Sequence, residues 1–187
     1  MDAAIRGEEG WHVACGTMSA EQAPPLDCRV LSSRNLLIHF AEVTMRSKLL
    51  QREGGTTYAL IFDTGDEVIA GLTSFAKEHA LDASDFTALG AFSSAVLGFF
   101  EVEQKEYRKI PIEEQVEVLT LVGNVTLDEG EPKVHAHVVL GCADGATRGG
   151  HLLEGRARPT LELILSESPV QLRRQFDPTA GLALIRL

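Results

Sequence analysis

Cysteines are few in this sequence, and long apolar runs and recognisable targeting segments are missing. The three cysteines, Cys15, Cys28 and Cys142, form no CxxC pair and are odd in number, which argues against a disulfide framework and against a thiolate zinc site. No apolar run approaches the roughly 20 residues of a membrane-spanning helix. The N-terminal residues lack the basic region and apolar segment of a signal peptide. The sequence therefore predicts a cytoplasmic protein that does not enter a membrane.

Basic residues are also scarce, with 17 lysines and arginines against 27 acidic residues and a net charge of −10. An acidic surface is repelled by phosphate backbones unless its basic residues are locally concentrated. The densest basic positions, Arg156/Arg158 and Arg173-Arg174, are flanked by acidic side chains. Direct DNA binding is therefore disfavoured. It stays open as an alternative because several copies of Arg173-Arg174 in an oligomer would act together.

The rest of the composition is that of a globular protein, with 44% hydrophobic and 24% charged residues in a chain of 187. Residues 1–44 contain Pro24-Pro25, the only tryptophan and no sustained hydrophobic period, apart from the short apolar stretch Leu36–Phe40. We expect them to be a poorly ordered extension that precedes one domain at residues 45–187. Met45 is a candidate for the native start of the protein.

The pattern within residues 45–187 predicts one main helix and about eight strands. Thr64-x-x-Glu67 has the form of a capping box, and a single apolar stripe follows it as far as His79. The segment Val116–Val122 becomes continuously apolar, as a strand buried on both faces does. The fold class is therefore α+β, with a curved, mainly antiparallel sheet packed against the helix. The other strands are expected at residues 58–62, 86–92, 96–101, 106–110, 133–141, 158–165 and 182–185, together with a strand that carries His151.

Half of the six histidines lie in one short region, as His135-Ala-His137 and Gly149-Gly-His151. Alternation along a strand places His135 and His137 on one face, roughly 7 Å apart at Cα. Whether His151 reaches that face depends on the turn around Asp144-Gly145. A two-residue turn would put it on the opposite face, whereas a three-residue turn would place it directly across from His137. Both turns are common, and the clustering of histidines favours the second.

Three neutral imidazoles on one face suit zinc, or another divalent transition metal such as nickel, copper or iron, with a coordination position left for a small-molecule ligand. The opposing interpretation is that these histidines are ordinary half-buried strand residues. Polar residues near strand ends are candidates to surround the metal, although a solvated strand surface is the more ordinary role for such residues. These residues are Tyr107, Arg108, Glu114 and Glu117.

Several short motifs occur together and in order, and their combination resembles the plant-and-prokaryote-conserved (PPC) domain over about residues 45–187. The resemblance implies a homotrimer whose subunits each pack one helix on a curved antiparallel sheet. It also implies that the HxH…H histidines are the metal positions of prokaryotic members, and that the fold is similar to that of acetolactate decarboxylase, a zinc enzyme. The motifs are Thr64-Gly-Asp-Glu-Val68, Phe86-Thr-Ala-Leu-Gly-Ala-Phe92, Gln115-Val-Glu-Val-Leu119, His135-Ala-His137, Gly149-Gly-His151-Leu152 and Arg158-Pro-Thr-Leu-Glu162.

Three functions follow from these observations. The first is an oligomeric metal-binding protein with a regulatory or scaffolding role. The second is a zinc-dependent lyase or hydrolase that acts on a small carboxylate or carbonyl compound, so the sequence leaves enzymatic activity open. The third is a DNA-binding or transcription-associated protein. Plant members of the family carry an AT-hook before the domain, and this sequence has none; its Glu114–Leu119 segment also departs from the plant motif.

Overall fold

The computed structural model describes residues 45–187 and shows one helix on a large, strongly curved sheet. This confirms the predicted α+β class. No helix in these residues is long and apolar enough to cross a membrane. The predicted extension at residues 1–44 lies outside the described part of the chain. The elements are β1 (Arg46–Gln51), β2 (Thr56–Asp63), α1 (Val68–Glu78), β3 (Ala83–Glu101), β4 (Glu106–Ile112), β5 (Val116–Asp128), β6 (Glu131–Gly141), β7 (Thr147–Glu167), β8 (Arg173–Asp177) and β9 (Leu182–Arg186).

Four long strands close the sheet into a ring. β7 pairs with β3, β3 with β5, β5 with β6, and β6 with the beginning of β7, all antiparallel. Bulges bend the strands where closure requires it, and Gly90 on β3 lies at two of them. A Cβ at Gly90 would lie 2.3 Å from the carbonyl oxygen of Thr160. Only glycine therefore allows β3 and β7 to approach so closely at this point.

The helix begins one turn later than the capping-box pattern predicts. Glu67 is itself the N-cap, and its carboxylate accepts hydrogen bonds from the backbone N–H groups of Ile69 and Ala70. Thr64 instead donates its hydroxyl to the carbonyl of Pro159 at 2.9 Å. The capping-box interpretation is wrong because contacts with β7 use both side chains. The predicted apolar stripe is confirmed, with Val68, Leu72, Phe75 and Ala76 buried against the sheet.

β5 is buried on one face only, contrary to the sequence pattern. Val116, Val118 and Leu121 belong to the core, whereas Leu119 and Val122 are 49% and 46% exposed. The strand is continuously apolar because its outer face also carries large aliphatic side chains, which stay about half exposed in residues 45–187. This outer face is the one from which the histidines project.

Candidate metal centre

The three histidines project from the outer face of the sheet because their neighbours along each strand are in the core. Ala136 and Val138 on β6 are 1% and 2% exposed. His135 and His137, which alternate with these two residues, therefore point away from the core. Leu152 on β7 is equally buried, which directs His151 to the same outer side.

The hairpin between β6 and β7 has the three-residue turn. The backbone N–H of Cys142 donates to the carbonyl of Ala146 at 2.8 Å, and Gly145 has a φ of +83°. This turn pairs His137 directly with His151. The predicted register across the hairpin is confirmed.

The distances among the three rings suit a single metal ion. One ring nitrogen from each histidine lies within 4.8 Å of the other two. Nε2 of His135 is 3.2 Å from Nε2 of His137, close to the roughly 3.3 Å that separates two nitrogen ligands of a tetrahedral zinc ion with bonds of about 2.0–2.1 Å. Nδ1 of His151 is buried without a hydrogen-bond partner in the described residues. Coordination through this atom would satisfy it, so the donor set fits a divalent transition metal.

Burial and neighbouring positive charge keep two of the rings neutral at pH 7. Burial first, and then the nearby cationic groups Arg174 and Lys133 and the two other imidazoles, lower the pKa of His151 to about 4. The pKa of His135 is also lowered, first by burial and then by Arg174 and His137. A neutral imidazole is the form that binds a metal, so these rings need not lose a proton to do so at neutral pH.

Arg174 on β8 fixes one side of the site. Its Nε donates to the hydroxyl of Thr126 at 2.7 Å, and its Nη2 donates to the amide oxygen of Asn124 at 2.8 Å. Its Nη1 donates to the carbonyl of Ala183 on β9 at 3.0 Å. Nη2 also lies 3.3 Å from Nδ1 of His135. The guanidinium therefore connects β5, β6, β8 and β9 around the histidines.

The contact with Arg174 determines where the proton of His135 lies without a metal. A guanidinium only donates, so Nδ1 of His135 accepts and the proton is on Nε2. That Nε2–H then donates to Nε2 of His137, 3.2 Å away. A metal bound through Nε2 of His135 would replace this hydrogen bond and move the imidazole proton to Nδ1. Arg174 would then keep its contacts with Thr126, Asn124 and Ala183.

A pocket of about 610 Å³ opens beside the histidines, roofed by the β8–β9 hairpin and by β4. The ring of Tyr107 on β4 lies 4.8 Å from the ring of His151, centroid to centroid. Burial raises the pKa of the Tyr107 hydroxyl, and the charge of Arg174 opposes that rise. The other side chains that line the pocket are Phe100, Asp128, Lys133, Val134, Leu153, Leu182, Ala183 and Leu184.

Of the four residues expected to surround the metal, Tyr107 lines the pocket and the other three do not. Arg108 lies on the opposite face of β4, where it pairs with Glu101 at 2.8 Å. Glu114 lies 3.8 Å from a guanidinium nitrogen of Arg148. Glu117 is seven residues along β5 from Asn124, the residue opposite His135, which is about 23 Å at the usual rise of a strand.

Sequence reasoning missed Arg174, Asn124 and Thr126 as residues of the site. The sequence predicts that Arg173 and Arg174 act together as a basic pair, but only Arg173 is exposed. The alternation of a strand explains the difference, because β8 turns one arginine outward and the other into the pocket. A polar Asn-Val-Thr sequence at the end of an apolar strand was the available signal for the other two residues.

Comparison with known proteins agrees with this architecture. Residues 50–169, well over half of the chain, match the model of the Plants and Prokaryotes Conserved (PCC) domain. A PPC protein of Pyrococcus horikoshii is 33% identical with a TM-score of 0.66, covering 76% of this chain and 95% of that one. A metal-containing protein of Archaeoglobus fulgidus is 34% identical with a TM-score of 0.67, covering 75% and 99%. A proposed DNA-binding protein of Ralstonia eutropha JMP134 is 26% identical with a TM-score of 0.68, covering 75% and 96%.

Curated relatives match this chain over only part of their length. The bifunctional protein GlmU of a Synechococcus strain is 32% identical over 127 residues, which are 66% of this chain and 19% of GlmU. The chain thus spans about a fifth of that relative. The matching family model, the ring-closed sheet with its single helix and the similar solved structures lead to one conclusion: the chain belongs to the plant-and-prokaryote-conserved domain family.

Proposed function

We propose that this chain is a metal-binding protein whose divalent transition metal, with zinc the first candidate, is held by His135, His137 and His151. The observation that carries the proposal is the direct pairing of His137 with His151 across the hairpin, which gathers three ring nitrogens within 4.8 Å. When bound, such an ion supplies a Lewis-acid centre with one coordination position open to an outside ligand.

The test is metal analysis of the purified full chain by mass spectrometry after zinc loading and desalting. We expect one metal ion per chain in the wild type and none in His137→Ala, because two imidazoles hold zinc poorly without a third. His79→Ala is the matched control: His79 caps α1 and stacks on Phe75. A full equivalent of metal in His137→Ala would refute the assignment.

The open pocket supports a role in sensing or holding a small ligand, in keeping with a regulatory or scaffolding protein. A lyase or hydrolase is the second candidate, and a different observation favours it. Tyr107, Asp128 and Lys133 line the pocket beside the histidines, and catalysis at a metal needs such proton-transferring groups nearby. Turnover by the zinc-loaded protein of a panel of small carbonyl and carboxylate compounds, absent after His137→Ala, would distinguish an enzyme from a ligand-binding protein.

We propose that the chain assembles as a homotrimer through the outer face of the sheet. Exposed aliphatic side chains on four neighbouring strands share this face: Leu89 is 62% exposed, Val122 and Ile164 each 46%, and Val139 38%. An apolar surface of this kind marks an interface, and cyclic symmetry would cover it without open-ended growth. Light scattering should give about three times the 20.3 kDa of one chain. A mass of one chain would refute the trimer, and Val122→Asp should lower the mass.

DNA binding is disfavoured for this chain, although a relative of similar fold is a proposed DNA-binding protein. The net charge is −10, and the guanidinium of Arg174 is used inside the pocket, which leaves Arg173 as the exposed member of the pair. Affinity for duplex DNA scales with the number of phosphates neutralised. We expect no gel shift of a random duplex at about 150 mM salt. A clear shift that is lost in Arg173→Gln would overturn this expectation.

A further inference from the structure

Arg174 has no carboxylate oxygen within 4.0 Å in residues 45–187, and Asp128, which lines the same pocket, attracts its charge from a greater distance. Within residues 45–187, Arg46, Arg108, Arg148 and Arg186 each have a carboxylate oxygen within 4.0 Å, and the side chains of these four are at least 51% exposed. Arg174 is half-buried, and its hydrogen-bond acceptors are all neutral groups. A charge withdrawn from water without a counter-charge in direct contact is costly. This arrangement points to an anion that comes from outside the chain.

The guanidinium has hydrogen-bonding capacity left for such an anion. It carries five N–H groups, and the four contacts with Thr126, Asn124, Ala183 and His135 leave one of them, on Nη1, free among the described residues. Metal binding through Nε2 of His135 would remove that residue as an acceptor and free a second N–H, on Nη2. Arginine N–H groups on the two terminal nitrogens suit the two oxygens of a carboxylate.

The walls of the pocket indicate the rest of the ligand. Lys133 adds a second positive charge at the rim, and Asp128 is the one acidic side chain among the described lining residues. Phe100, Leu153, Leu182 and Leu184 form an apolar wall, which suits a carboxylate with a short hydrocarbon part better than inorganic phosphate. The cavity of about 610 Å³ is within the range that accommodates small organic molecules.

We propose that the pocket binds a small organic carboxylate whose anionic group is held by Arg174 beside the metal. This inference deepens the proposed metal-binding function and rests on it. Arg174 acts as the specificity-determining residue, and the apolar wall receives the hydrocarbon part of the ligand.

The experiment measures propionate affinity by isothermal titration calorimetry on the full chain, with metal content determined on the same samples. Arg174→Gln should keep its metal and bind propionate at least about tenfold more weakly, the effect of losing a charge-assisted hydrogen-bond pair. Arg173→Gln is the matched control, since it removes an equal charge one residue away on the exposed face, and its affinity should equal that of the wild type. Inorganic phosphate should bind more weakly than propionate.

Each outcome decides a separate point. Equal propionate affinity in Arg174→Gln and wild type, both with metal, overturns the inference and leaves the metal site standing. If the wild type contains no metal, the proposed function is overturned. If this metal-free protein still binds propionate and the binding depends on Arg174, the inference is supported. Phosphate binding tighter than propionate binding refutes the ligand class. If Arg174→Gln fails to fold, the Nε–H resonance of Arg174 in the wild type should shift as propionate is added, and an unchanged resonance refutes the contact.

Discussion

Gly123 lies between the core and the metal centre, in contact with both. It lies on β5 directly opposite Ala136 on β6. A Cβ at Gly123 would lie 2.3 Å from Cζ of Phe86 and 2.4 Å from the carbonyl oxygen of His135. Neither group can move away cheaply, because Phe86 is 2% exposed in the core and the oxygen belongs to the backbone of a candidate metal ligand.

Gly123→Ala should therefore destabilise the protein and disturb the site together. Ordinary contacts of a Cβ begin at 3.4 Å, so relief of the clash needs a displacement of about 1 Å. Overpacking of this kind lowers the free energy of unfolding by about 1–3 kcal/mol. For a domain of this size, each kcal/mol lowers Tm by about 2–4 °C, which gives an expected decrease of about 2–12 °C. The metal affinity should also decrease because β6 must shift at His135.

The assay is thermal denaturation followed by circular dichroism, in the presence of a chelator, with zinc titrations measured separately. Gly141→Ala is the matched control on the same strand pair. The atoms nearest to its Cβ would be those of the Leu119 side chain, from 3.2 Å, and that side chain is 49% exposed and free to move. The reasoning is refuted if both variants melt at the same temperature and bind zinc equally well.

Three further predictions concern the domain boundary, pH and the core. A chain that starts at Met45 should stay folded and soluble, because the sheet, α1 and their buried core lie within residues 45–187; insolubility of this shortened chain would contradict the boundary. In the metal-free protein, the free energy of unfolding should fall as pH drops from about 6.5 toward 4, since the unfolded chain protonates His151 near its ordinary pKa and the fold holds that pKa at about 4. The fall should be smaller in His151→Gln, and equal pH dependence of the two proteins in urea denaturation would show that His151 does not cause it. Leu163→Ala, at a fully buried position, should lower the free energy of unfolding by about 2–5 kcal/mol. The control Leu119→Ala, at a half-exposed position, should lower it by about 0.5 kcal/mol or less. The same urea denaturation measures both.

The features that the sequence could predict are those that depend on local geometry. The alternation of His135 and His137 follows from the period of a strand, and the place of His151 follows from the length of one turn. The stripe on α1 follows from the period of a helix. In each case the deciding residues lie within about 20 positions of one another, so their relation does not require knowledge of the whole fold.

The features that could not be predicted depend on contacts between distant segments. Thr64 and Glu67 fit a capping box, but Glu67 also accepts a hydrogen bond from the backbone N–H of Gly155 at 2.9 Å, 88 residues away. Arg174 reaches His135 because β8 pairs in parallel with β5 at Leu127, a pairing that leaves no local signature. Glu117 lies on the same strand as Asn124, but the length of β5 between them keeps Glu117 far from the histidines.

The β8–β9 hairpin roofs the pocket, yet its strands join the rest of the sheet through a single parallel pair between Leu127 and Arg173. The next residue, Arg174, reaches inward to the site. A ligand that binds this guanidinium therefore also stabilises the attachment of the hairpin to the ring of strands. The relation is reciprocal: detachment of the hairpin must weaken the binding of the ligand by the same free energy. In thermodynamic terms, occupancy of the pocket and attachment of the hairpin to β5 are linked in one equilibrium.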